Sequence, residues 1–73
     1  MNDTSDLYFA AALVACGHKL ASTERREGKT HWVFDVKVDI ESLEVQFIND
    51  ALLVPARTFS DAIKRLKAST MRQ

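Results

Sequence analysis

Apolar and polar positions alternate in four distinct ways along the chain, and each predicts an element. From Leu7 to Cys16 almost nothing polar interrupts the run "LYFAAALVAC". Leu7, Ala10, Ala11 and Val14 share one helical stripe, while Tyr8, Phe9 and Leu13 widen it. A helix apolar on most sides is covered by more than one partner surface, and three consecutive alanines let a neighbour approach closely. Thr4 or Ser5 is the expected N-cap, with Asp6 in the first turn, where a negative charge suits the helix dipole. Gly17 directly follows the apolar run, the usual place of the left-handed residue that closes a helix.

Between Lys19 and Val38 the period changes to two. Trp32, Phe34, Val36 and Val38 alternate with His31, Val33, Asp35 and Lys37, which predicts a strand with one strongly apolar face. Lys19 to Arg25 is a more polar strand that fits a sheet edge. The two join at a turn around Arg26-Glu27-Gly28-Lys29, where Gly28 supplies positive φ.

The helical period then returns twice. Asp39 is the expected N-cap of a helix whose Ile40, Leu43, Phe47 and Ala51 face the core with Ile48 beside them, broken at Asn49-Asp50. "ALLV" (51–54) is a short extended connector with the option of a third strand. Pro55 opens the last helix, on which Ala56, Phe59, Ala62, Ile63, Leu66 and Thr70 gather on one face. The expected fold is α+β: a single domain over 1–73, ordered α-β-β-α-(short extended)-α, with an antiparallel hairpin packed against three helices.

Composition adds limits. Of 73 residues, 47% are hydrophobic and 27% charged, ordinary for a soluble fold and too apolar for a disordered one. A chain this short buries only about 60% of its unfolded surface, so self-association would add stability. Cys16 is the only cysteine, which fits a reducing cytoplasm. "MNDTSD" has no basic n-region, so a secretory signal is not expected, and Leu7 to Gly17 is too short to cross a membrane.

The neutral total conceals a segregation. Residues 35–50 hold five acids against one lysine, a net of −4, and residues 55–73 hold five bases against one acid, a net of +4. Arg57, Lys64, Arg65 and Arg72 share the outer side of the last helix with Lys67 at its flank, and Arg25, Arg26 and Lys29 would extend this basic patch from the hairpin turn. Such a patch suits phosphates or an acidic protein; equally, bases near a helix C-terminus match its dipole.

Enzymatic chemistry finds little support. Cys16, His18 and His31 lack the paired ligand spacing of structural zinc sites. Cys16 falls at the helix end whose dipole disfavours a thiolate. Two glycines, Gly17 and Gly28, cannot spell a phosphate-binding loop, and Glu41 and Glu44 read as a solvated acidic face.

The stretches "TSDLYFAAALVACGHKL" (4–20), "WVFDV" (32–36) and "ARTFSDAIKRLK" (56–67) resemble a family of short uncharacterised domains from bacterial, phage and plasmid genomes. The resemblance spans nearly the whole chain, rests on core and capping residues, and implies no catalytic, cofactor or metal residues. Pro55 stands where the pattern has an N-cap such as aspartate. The expected function is a non-enzymatic binding module without cofactor or membrane partner. Protein association, self-association included, would use Tyr8, Phe9 and Leu13; the alternative is nucleic acid on the basic face of the last helix.

Overall fold

Helix α1 (Leu7–Ala15) is capped one residue later than expected from Ser5 and two later than expected from Thr4. Asp6 is the N-cap: its carboxylate accepts hydrogen bonds from the Tyr8 and Phe9 amides at 2.9 and 3.2 Å. Thr4 is drawn away because it belongs to a strand, and its hydroxyl accepts from the Asp6 amide at 3.1 Å. At the other end Gly17 takes φ +96°. The Gly17 amide donates to the Val14 carbonyl and the His18 amide to the Leu13 carbonyl, both at 3.0 Å, the paired bonds of a Schellman closure.

The computed structural model describes residues 2–70. After α1 come β2 (Leu20–Arg26) and β3 (Lys29–Phe34), preceded at the N-terminus by β1 (Asp3–Thr4) and followed by α2 (Ile40–Ile48) and α3 (Ala56–Thr70). The sheet is antiparallel in the order β1-β3-β2, so β2 lies at an edge as its polarity predicts. Glu27 and Gly28, at φ +52° and +79°, form the two-residue hairpin turn, and Ala21 makes an irregularity near the start of β2.

The third strand is therefore Asp3–Thr4 and not the 51–54 connector, which has no regular structure. Asn2 explains the placement. Its carbonyl accepts from the Phe34 amide at 2.7 Å, and its side-chain amide donates to the carbonyls of Asp35 (2.9 Å) and Val38 (2.6 Å). Those bonds fix the chain after β3 in a turn, with the Val38 amide donating to the Asp35 carbonyl and the Asp35 carboxylate accepting from the Lys37 amide. The apolar alternation consequently stops at Phe34. Val38 still reaches the core, but Val36 is 86% exposed instead of sharing the strand's apolar face.

One core lies between the sheet and the helices. Phe9, Ala10, Ala11 and Leu13 of α1 meet Trp32 and Phe34 of β3, Val38, and Ala62 and Leu66 of α3. The uniformly apolar first helix is thus covered on several sides, with every residue from Phe9 to Leu13 fully buried. Helix α2 attaches more lightly. Asp39 caps it by accepting from the Ser42 amide, and Ile40, Leu43 and Phe47 pack on the core, the Phe47 ring tilted against Phe9 with centroids 5.3 Å apart. None of its nine residues is fully buried, and Ile48 and Ala51, expected inward, are exposed. It ends at Asp50 with φ +57°, where the Asp50 and Ala51 amides donate to Phe47 and Gln46 carbonyls. Pro55 sits just before α3, its carbonyl accepting the first helical bond from the Phe59 amide, and Ala56 is exposed.

Candidate association surface

Phe9 and Leu13 do not form a surface. Both are fully buried in the core, because α3 and the sheet cover the sides of α1 that the sequence leaves unassigned. Of the three residues expected to associate, Tyr8 alone is exposed, at 57%.

The charges on the sheet are occupied with each other. Asp3 on β1 lies beside β3, where His31 Nδ1 is 2.9 Å from its carboxylate, and Arg26 of β2 reaches the same oxygen at 2.7 Å. Arg26 also pairs with Glu24 at 2.9 Å. Burial alone would raise the Asp3 carboxyl, but hydrogen bonds from His31 and Arg26 and the positive charge beside it outweigh that and hold it below its ordinary value. Arg25 contacts the Thr30 hydroxyl at 3.3 Å, and Lys29 is exposed. Arg26 is therefore engaged with the acids of the sheet, while Arg25 and Lys29 stand exposed at the hairpin.

The charges on the helices differ. Arg57, Lys64, Arg65 and Lys67 are all exposed on α3, and among the described residues none has an acidic partner. Arg72 lies outside the described residues. Arg65 turns toward a feature the sequence did not announce. An open cleft of about 410 Å³ runs between the end of α1, the start of β2 and α3. Val14, Leu20 and Leu66 give it an apolar lining, and His18, Lys19 and Arg65 supply polar and basic groups. Gly17 builds one wall, since the sharp α1 closure brings His18 and Lys19 round to α3. The sequence places Arg65 on the outer side of α3 and Lys19 at the start of an edge strand, and neither position signals a cleft.

A second feature lies on α2. At about 100° per residue, Glu41, Glu44, Val45 and Ile48 fall within one arc of roughly 100°, opposite Leu43. All four are exposed, Val45 at 58% and Ile48 at 71%. Two acids and two large apolar side chains thus share the helix's outer stripe, and its acids have no basic partner among the described residues.

Cys16, His18 and His31 have separate surroundings. Cys16 is exposed at the end of α1 with its Sγ 3.6 Å from the Leu53 carbonyl, and local burial pushes its thiol above the ordinary value. His18 lines the cleft and His31 is held by Asp3. Among the described residues no three His, Cys, Asp or Glu side chains are placed to hold a metal ion, and no helix is long and apolar enough to cross a membrane.

Searches of curated proteins and of solved structures return no significant match. One family model spans residues 2–72, nearly the whole chain, including the α1 closure, the hairpin and α3. The chain therefore belongs to the family described as a domain of unknown function, DUF5659.

Proposed function

We propose that this chain is a non-enzymatic protein-association module, and that its concrete form is self-association. The observation that carries the reading is α2, a helix with Val45 and Ile48 directed outward beside Glu41 and Glu44, which have no basic partner among the described residues. Large apolar side chains scattered singly on a surface need no explanation, but two at helical spacing within an acidic stripe form a patch that gains by being covered. The exposed bases of α3 provide complementary charge on the same molecule, so copies attract each other through unlike segments. No side chain is assigned a chemical step and no cofactor is required. A reducing compartment such as the cytoplasm suits the unpaired Cys16.

Sedimentation velocity at increasing concentration and low salt tests this directly. A dimer that dissociates on dilution and weakens with added salt is expected. A monomer up to about 0.5 mM, where even a weak Kd would register, refutes self-association.

A second reading draws on the same α3 bases. Arg57, Lys64, Arg65 and Lys67 could neutralise phosphates of a nucleic acid, and anisotropy of labelled DNA and RNA at low salt is the measurement. Binding that falls steeply with salt and disappears when Arg57, Lys64 and Arg65 are replaced together favours it. No binding at low salt removes it.

A further inference from the structure

We infer that the cleft between α1, β2 and α3 is the receptor for helix α2 of a second copy of this chain. The inference rests on the self-association reading and adds the site, the inserted segment and its orientation-setting charges.

The two surfaces match in chemistry. Val14, Leu20 and Leu66 offer an apolar lining to receive Val45 and Ile48. Lys19 and Arg65 stand at the same cleft without acidic partners among the described residues, and Glu41 and Glu44 stand beside Val45 and Ile48 without basic ones. An amphipathic helix laid into a groove is read through anchors at such spacing, with flanking charges fixing register. The sheet offers no comparable partner, because Asp3, Glu24, Arg26 and His31 already satisfy one another. Nor does α2 need to leave its own chain. Its inner stripe, Ile40, Leu43 and Phe47, stays on the core while its outer stripe docks.

Each copy carries one α2 and one cleft, so a two-fold arrangement uses both pairs and closes on itself as a dimer. Docking removes Val45 and Ile48 from water and pairs four charges per contact, setting two acids of the −4 segment against Arg65 of the +4 segment and Lys19.

Charge reversal with rescue is the test, read by sedimentation velocity, with circular dichroism confirming that each variant is folded. The changed residues are all exposed or at the cleft and lie outside the core. K19E/R65E and E41K/E44K should each weaken dimerisation at least about tenfold, since like charges then face each other. The fourfold variant combining them has the parent's zero net charge and should recover dimerisation to within about threefold. K29E/R57E carries the same charge change as K19E/R65E and should dimerise like the parent at matched salt. A parent dimer indifferent to all these changes overturns the docking site and leaves self-association standing. A folded fourfold variant that stays monomeric also overturns the site. A parent that is monomeric throughout overturns both.

Discussion

Replacing Gly17 tests whether backbone conformation alone closes α1. At φ +96° this residue lies where an L side chain is disfavoured, yet a Cβ added there meets nothing within 4 Å. Packing is thus removed from the comparison, and what remains is local strain. For an L residue in the left-handed region that strain is about 1–2 kcal/mol. L-Alanine also restricts the unfolded chain, which returns about 0.4–1 kcal/mol in the stabilising direction. D-Alanine, introduced by chemical synthesis, shares that second effect but favours positive φ. The difference between Gly17→Ala and its D-alanine counterpart is therefore the strain itself, about 1–2 kcal/mol. Urea unfolding followed by circular dichroism, with a slope of about 1 kcal/mol per molar, should separate the midpoints by about 1–2 M. In a chain whose whole stability is of order 4–11 kcal/mol, that separation is large. A difference below about 0.3 kcal/mol would show that the Leu13 and Val14 carbonyl bonds form without a left-handed residue, and the account of α1 closure would be wrong.

Two further predictions concern titrating groups. Asp3→Asn removes the charge that joins β1 to Arg26 and His31 and should destabilise the fold by about 1 kcal/mol near neutral pH, discounted because Arg26 is partly exposed. The folded Asp3 carboxyl is held below its unfolded value, so its contribution is present above pH of about 4 and fades as pH falls through the folded value. Urea midpoints of parent and variant should converge on acidification, and a gap constant down to about pH 2 would contradict the assignment. Cys16 is exposed, but its thiol is raised by local burial. Iodoacetamide should alkylate it with a pH–rate midpoint above that of a cysteine in an unstructured peptide, and a lower midpoint would reveal an activated thiolate.

What the sequence made legible is local. Gly17, Gly28, Asp39 and the Asn49-Asp50 break each act through the backbone within a few residues, and their caps and turns follow from residue type. The apolar stripe of α3 is similarly visible, and Ala62 and Leu66 are buried as it requires. The misreadings occur where distant segments decide. β1 is two residues, Asp-Thr, with no alternation to announce it, and its position depends on Asn2 bonding to residues more than thirty positions away. The same bonds stop β3 before Val36, although the period-two pattern runs on to Val38. Phe9 and Leu13 read as surface in a helix that is apolar almost all round, and only tertiary packing tells which sides are covered.

The same separation of local from distant explains why zero net charge is a poor guide here. On the sheet, Asp3, Glu24, Arg26 and His31 consume each other's charge within the chain, so those groups contribute to stability and little to an outside field. The charges of α2 and α3 have no such partners among the described residues; α2 holds two of the five acids of the −4 segment, and α3 four of the five bases of the +4 segment. Salt therefore discriminates between the two sets. Screening should affect association through Glu41, Glu44, Lys19 and Arg65 far more than it affects unfolding, because exposed charges are screened and the partly buried Asp3 pairs are less so. If the urea midpoint of the monomer and the dimer dissociation constant shifted with salt by comparable free energies, the division between structural and associating charge would have no basis.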